Sequence, residues 1–127
     1  MRRIIETKSA PAAIGPYSQA VEHEGRLLFT AGQLGLDPDT GAFVEGGVAA
    51  QAERALKNLN AILEAGHSSL ARVLKVTIFL ADMKDFAVVN EIYSRYFPKD
   101  PPARSAIQAA ALPKGALVEI ECIAQTL

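Results

Sequence analysis

The spacing of apolar residues changes from helical to strand-like and back to helical between residues 52 and 97, and this change most constrains the fold. The first helical stripe ends before Gly66, a stop signal, and consists of Ala52, Ala55, Leu56, Leu59, Ile62 and Leu63. The β-rich run that follows, residues 73–80, places alternate residues on one face: Leu74, Val76, Ile78 and Leu80. The second stripe, capped by Asp82 and ended by Pro98, consists of Phe86, Val89, Tyr93, Tyr96 and Phe97. An alternating strand between two amphipathic helices predicts a sheet that is covered by helices.

Shorter segments around this unit add further strands. They are expected near residues 3–6, 19–24, 26–31, 103–108 and 117–125, with a hairpin signal at Glu24-Gly25 and a turn over residues 37–41. The pair Gly46-Gly47 is expected to be a loop. The predicted order is β-β-β-α-β-α-β-β, which indicates an α+β protein with a mixed sheet and two helices on one face. One domain is expected over residues 1–127.

Composition makes several classes of function unfavourable. The chain has 127 residues and a formal net charge of −1, so a basic nucleic-acid surface is not expected. Its apolar runs are shorter than the roughly 18 residues that a membrane span needs. The single cysteine, Cys122, and an N-terminal segment without the apolar core of a signal peptide favour a cytoplasmic protein.

Arg104 stands in the segment with the strongest indication of binding chemistry. Pro101 and Pro102 stiffen the backbone before it, and Asp100 is the only acidic residue within five positions. A guanidinium matches carboxylate geometry, so a small carboxylic acid is the first ligand class to consider, with a structural salt bridge as the alternative. A second stiff loop, Gly15-Pro16, precedes Tyr17, which is either a packing residue or a ligand contact.

Four separated motifs resemble the Rid (reactive intermediate deaminase) family, and within it the archetypal RidA subgroup. The motifs are Ala-Ile-Gly-Pro-Tyr-Ser-Gln at 13–19, Thr-Ala-Gly-Gln at 30–33, Pro-Ala-Arg-Ser at 102–105, and Leu-Pro-Lys at 112–114 with Glu-Ile-Glu at 119–121. The resemblance extends from about Ser9 to Ala124. It implies a chorismate-mutase-like fold and a homotrimer with its sites at subunit interfaces.

The resemblance also implies roles for four residues. Arg104 would bind the carboxylate of the substrate, Glu119 would position water or move a proton, and Tyr17 would close the pocket. The backbone N–H of Gly32 would assist binding or polarisation. The alternation of the last strand gives Glu119 a second interpretation, a solvated polar face shared with Glu121. Many relatives have cysteine two positions after the arginine, where this chain has Ala106, so deamination cannot depend on a thiol there.

No pattern indicates a metal or an organic cofactor. His23, near the expected hairpin tip, and His67, after the first helix, lack metal-ligand spacing. Cys122 is expected to be buried beside Val118 and Ile120 rather than to act as a nucleophile. The sequence has no nucleotide-binding glycine motif and no recognisable serine triad.

The predicted activity is the hydrolysis of short 2-imino acids, 2-iminopropanoate and 2-iminobutanoate, to 2-keto acids and ammonia. These substrates are tautomers of the enamines that pyridoxal-phosphate-dependent serine and threonine dehydratases release. Two alternatives stay open. The same arginine pocket could serve a keto-acid sensor without turnover. An endoribonuclease or translation inhibitor fits poorly with the near-neutral charge and the missing general-base histidine.

The predicted sheet has apolar residues on both faces. Phe79 and Ile123 make its second face only partly polar, so that face is expected to be covered by another chain. The number of chains, three, comes from the resemblance alone.

Overall fold

The computed structural model describes residues 1–10 and 12–127. The elements are β1 (Arg2–Ile5), β2 (Ala20–His23), β3 (Arg26–Phe29), β4 (Gln33–Leu34), α1 (Gly47–Ala65), β5 (Val73–Leu80), α2 (Phe86–Tyr96), β6 (Ala103–Gln108) and β7 (Val118–Thr126). Short 3-10 turns lie at Leu70–Arg72, Met83–Asp85 and Pro113–Gly115. The two-residue strand β4 is absent from the predicted order, and every predicted helix and strand is present.

The main sheet is mixed, as predicted. Its strand order is β3-β7-β5-β6, and β4 also pairs with β7. β5 and β6 run parallel, whereas β3, β4 and β5 all pair with β7 in antiparallel fashion. The nine-residue strand β7 is therefore the central strand on which the sheet is assembled.

The predicted hairpin at Glu24-Gly25 is wrong. β2 pairs with β1 in a separate two-stranded sheet, while β3 pairs with β7. Gly25, at φ +135°, turns the chain from one sheet to the other. The amide of Glu24 donates to the carbonyl of Met1 rather than to β3. Both strands were predicted correctly, but β3 forms its hydrogen bonds with the long strand β7 rather than with β2.

Both helices pack on the same face of the main sheet. Alternate residues of β5 and β7, including Ile78 and Ile120, point toward α1 and α2 and are fully buried. The helical stripe of α1 is buried except for Ile62, which is half-buried, and Gly66 follows the helix as its C-cap. Gly47 is the first residue of the helix and Gly46 its N-cap, so the expected loop at this pair is wrong for Gly47. Asp82 accepts a hydrogen bond from the amide of Lys84, so it caps the 3-10 turn that leads into α2.

Within residues 1–10 and 12–127 no helix covers the opposite face of the main sheet, which we call the open face. Three apolar side chains there are largely exposed: Leu27 at 46 %, Phe29 at 68 % and Ile107 at 49 %. Phe79 and Ile123 also point to this side and are half-buried. No helix among residues 1–10 and 12–127 is long and apolar enough to cross a membrane.

Candidate active site

Arg104 is the second residue of β6 and points to the helical face of the sheet. It pairs with Val76 of β5, a fully buried residue on the same face. Pro102, also buried, precedes the strand and fixes the backbone that enters it. The side chain therefore extends along the edge of the sheet toward α2.

The guanidinium of Arg104 lies among neutral groups. Its Nη1 donates a hydrogen bond of 2.6 Å to Oδ1 of Asn90. Its Cζ lies 4.9 Å from the ring centroid of Tyr93 and 5.4 Å from those of Tyr17 and Phe86. Burial lowers the pKa of Arg104, and the neighbouring Tyr93 and Tyr17 oppose that shift. Within the described residues no carboxylate pairs with it, so the structural salt bridge considered from the sequence is not formed.

A cavity of about 340 Å³ opens at this guanidinium. Its lining consists of Ile14, Gly15, Tyr17, Met83, Phe86, Asn90, Arg104 and Ala106. Asn90 and Arg104 make one end polar, and the other walls are mostly apolar. An organic anion with a short apolar side chain fits this division, because its charge can meet a partly desolvated cation that has no carboxylate partner among the described residues.

Tyr17 is held beside Arg104 by a connection between the N-terminal loop and β6. Ser18 donates its backbone amide to the Pro102 carbonyl at 2.9 Å and its hydroxyl to the Pro101 carbonyl. A parallel bridge joins Ser18 to Ala103. The tyrosine hydroxyl accepts a hydrogen bond from the amide of Ile14. Tyr17 is thus both a packing residue of its loop and part of the cavity wall.

Glu119 lies on the open face of the sheet, with Gly32 directly beneath its side chain. It sits on β7 between Leu34 and Phe79 of the neighbouring strands. A methyl group on Gly32 would come within 2.7 Å of the carboxyl carbon of Glu119, so only glycine leaves room for this placement. No described residue donates a hydrogen bond to the carboxylate or pairs with it.

The four residues singled out in the sequence form two separate pairs. Arg104 and Tyr17 meet on the helical side, and Glu119 and Gly32 meet on the open face. Strand β5 and the thickness of the sheet separate the two pairs within one chain. A site that uses all four must therefore combine two chains.

Sequence reasoning missed Asn90 as a site residue. Its signal was present, because Asn90 is a polar residue inside the apolar stripe of α2, four residues after Phe86 and three before Tyr93. Phe86 and Tyr93 were assigned to packing only, although their rings also face Arg104. Their second role depends on the parallel pairing of β5 with β6, which the sequence alone does not specify.

The remaining candidates lie away from the cavity. Cys122 is 4 % exposed, and burial raises the pKa of its thiol to about 11, so it is not activated as a nucleophile. His23 is half-buried, and its ring contacts the carbonyls of Met1 and Arg26. His67 is exposed beyond the end of α1.

The fold and this cavity define an α+β protein with a half-buried arginine in the wall of a mostly apolar cavity. The Endoribonuclease L-PSP family matches residues 7–126 of the chain. A mouse protein named 2-iminobutanoate/2-iminopropanoate deaminase is 55 % identical over 124 residues, covering 98 % of this chain and 91 % of the relative. The chain belongs to this family, which confirms the resemblance to the Rid proteins.

Solved structures agree with this assignment. RidA from an Antarctic Psychrobacter is 47 % identical, with a TM-score of 0.76 over 97 % of this chain and 98 % of that one. TdcF from E. coli, solved with bound serine, is 41 % identical, with a TM-score of 0.76 over 98 % of this chain and 99 % of that one. The fold predicted from the sequence is therefore confirmed.

Proposed function

We propose that the protein hydrolyses 2-iminobutanoate and 2-iminopropanoate to the corresponding 2-keto acids and ammonia. Water adds to the C=N carbon, the C–N bond then breaks, and the nitrogen leaves as ammonia. The half-buried guanidinium of Arg104, without a carboxylate partner among the described residues, carries this proposal. The name of the mouse relative and the bound serine of E. coli TdcF, itself a small carboxylate, support it.

In the proposed site, Arg104 binds the substrate carboxylate. Its Nε and Nη2 make no hydrogen bond within the described residues, so both donors can meet a carboxylate in two parallel bonds. Tyr17, Phe86 and Ala106 surround the side chain of the substrate. Because the imine already reacts with water, orientation and proton transfer are sufficient, and no metal or organic cofactor takes part in the proposed step.

Glu119 is proposed to orient the attacking water and accept its proton. The carboxylate stands among apolar neighbours and has no internal partner in the described part of the chain, so it is available to water or to a ligand. Gly32, beneath it, would present its backbone N–H to the substrate.

We propose that a homotrimer forms this site at its subunit interfaces. Arg104 and Glu119 lie on opposite faces of the same sheet, so each site takes them from different chains. The exposed apolar residues of the open face supply a surface for a second copy. A cytoplasmic location is proposed with it, because a single buried cysteine as a free thiol suits a reducing compartment.

A coupled assay tests the activity. Purified threonine dehydratase generates 2-iminobutanoate, and the rate of keto-acid release is followed with and without this protein. Acceleration at substoichiometric protein is expected. Binding of 2-ketobutanoate without acceleration would instead indicate the keto-acid sensor, and EDTA is expected to leave the rate unchanged.

Mixing two impaired variants tests the shared site. Arg104→Ala and Glu119→Gln are unfolded together and refolded at equal amounts. In a cyclic assembly about a quarter of the sites then contain both wild-type residues, so roughly a quarter of the wild-type rate returns. Each variant refolded alone is the control. A mixture as inactive as its components would contradict a site built from two chains.

A further inference from the structure

Tyr93 supplies the most firmly held of the three rings that face Arg104. Its centroid is 4.9 Å from the guanidinium carbon, compared with 5.4 Å for Tyr17 and Phe86. Tyr93 is fully buried, whereas the other two rings are partly exposed. Tyr17 belongs to a loop and Phe86 is the first residue of α2. The ring of Tyr93 is therefore the fixed surface against which the guanidinium lies.

The surroundings of Tyr93 keep its ring in place. The ring of Phe97 packs against it at a centroid distance of 4.6 Å, and both residues belong to the hydrophobic core. Asn90, three residues earlier on the same helical face, accepts the hydrogen bond from Arg104 Nη1. One turn of α2 thus contacts the guanidinium both through a hydrogen bond and through a ring face.

The hydroxyl of Tyr93 does not explain why a tyrosine stands at this position. This oxygen is buried and has no hydrogen-bond partner within the described residues. A buried hydroxyl without a partner destabilises the folded state, so any favourable contribution of Tyr93 must come from its ring. The contact with Arg104 belongs to the ring.

We propose that Tyr93 is a positioning residue that acts through Arg104. Its ring face holds the guanidinium in the cavity, with Nε and Nη2 directed to the substrate carboxylate. This inference rests on the proposed function, because it takes carboxylate binding to be the task of Arg104. Without the ring, the long arginine side chain becomes ordered only when the ligand binds. The conformational entropy lost in that step weakens the affinity for the ligand.

Two substitutions separate the ring from the hydroxyl. Tyr93→Phe keeps the ring and should leave kcat and KM within about twofold of wild type, with a raised melting temperature because the unpartnered hydroxyl is gone. Tyr93→Leu removes the ring. It should raise KM and the Kd of 2-ketobutanoate roughly 3- to 30-fold, the range expected for a partly desolvated cation–π contact, while kcat falls less. If the Tyr93→Leu variant does not fold, Tyr93→Met is used in its place.

A matched control removes ordinary packing effects. Ile92→Ala opens the core on the same helix, next to Tyr93 in sequence, at a residue that does not line the cavity. It should lower the melting temperature and leave KM unchanged. In an Arg104→Ala background, Tyr93→Leu should cause no further loss of affinity for 2-ketobutanoate, since the ring acts only through the arginine.

The NMR signal of the Arg104 Nε–Hε group gives a readout that is independent of activity. A ring-current shift should be present in wild type and Tyr93→Phe and lost in Tyr93→Leu. The inference is overturned if a folded Tyr93→Leu variant binds 2-ketobutanoate with the wild-type Kd. It is also overturned if Tyr93→Leu raises that Kd by the same factor in the Arg104→Ala background as in the wild-type background. If the wild-type protein neither binds nor turns over substrate, the proposed function fails instead, while the NMR signal still decides whether the ring holds Arg104.

Discussion

Arg104 is the residue on which the proposed chemistry depends most directly. Arg104→Ala should lower kcat/KM at least about a hundredfold, because two charge-assisted hydrogen bonds to the substrate are lost. Arg104→Lys should recover little of this, since an ammonium cannot reproduce the planar pair of donors. The melting temperature should change little, because loss of the ring contacts and of the Asn90 hydrogen bond is offset by removal of a charge that burial disfavours.

Steady-state kinetics and thermal unfolding measure both effects. Arg95→Ala is the matched control, because Arg95 is exposed on α2 and, of the residues that the structure describes, pairs only with Glu91 of its own helix. It should leave both quantities unchanged. Wild-type turnover by Arg104→Ala would show that the substrate carboxylate binds elsewhere.

Glu119 and Glu121 point to the same face of β7, and this similarity provides an internal control. Glu119→Gln should lower kcat by about tenfold or more while the Kd of 2-ketobutanoate changes little, because an amide keeps contacts but takes no proton. Glu121→Gln, two residues along, should have nearly wild-type kcat. Equal effects of the two substitutions would favour the polar-face interpretation of both glutamates.

At the scale of elements, the sequence predicted the long periodic segments well. β5 and β6 have the predicted bounds, and α1 ends where Gly66 indicated. The apolar period is clear in α1 and over most of β5, where only a register shift between Val73 and Lys75 interrupts the pairing with β7. β4 was missed, since two residues cannot show a period. The hairpin prediction failed because local turn chemistry does not reveal the competing edge of β7. The contact of Asn90 with Arg104 could not be predicted, because it depends on the strand pairing that places β6 next to α2.

Ser18 connects two elements that both contribute to the cavity, so its hydroxyl should affect activity without touching substrate. Ser18→Ala should cost about 1 kcal/mol of unfolding free energy, measured by denaturant titration, because the bond to Pro101 is lost. KM should rise several-fold as the loop bearing Tyr17 loosens. Ser94→Ala, which loses only a bond to the carbonyl of Glu91 in its own helix, should change neither. An unchanged KM in a measurably destabilised Ser18→Ala would remove Tyr17 from the substrate site.

At the scale of the whole molecule, the sheet separates the chemistry of the site into two halves. The helical face presents Arg104 with its rings, and the open face presents Glu119 over Gly32. Alternation in the sequence predicted the faces of individual strands but could not show that these two residues lie on opposite sides, because that depends on the order of the strands. Assembly is therefore part of the proposed catalytic unit rather than an addition to it.

This dependence predicts that activity and assembly are lost together when the open face is made polar. Phe29 is 68 % exposed on that face, and Phe29→Asp places a charge where a second copy is proposed to pack. Sedimentation should then show monomers at micromolar concentration, with keto-acid release near the uncatalysed rate. Val88→Asp is the control, because Val88 is 44 % exposed on α2 and lies away from the sheet. It should remain assembled and active. A folded Phe29→Asp monomer with wild-type turnover would show that one chain is sufficient for catalysis, and Glu119 would then have no part in it, since it cannot reach the Arg104 cavity through its own sheet.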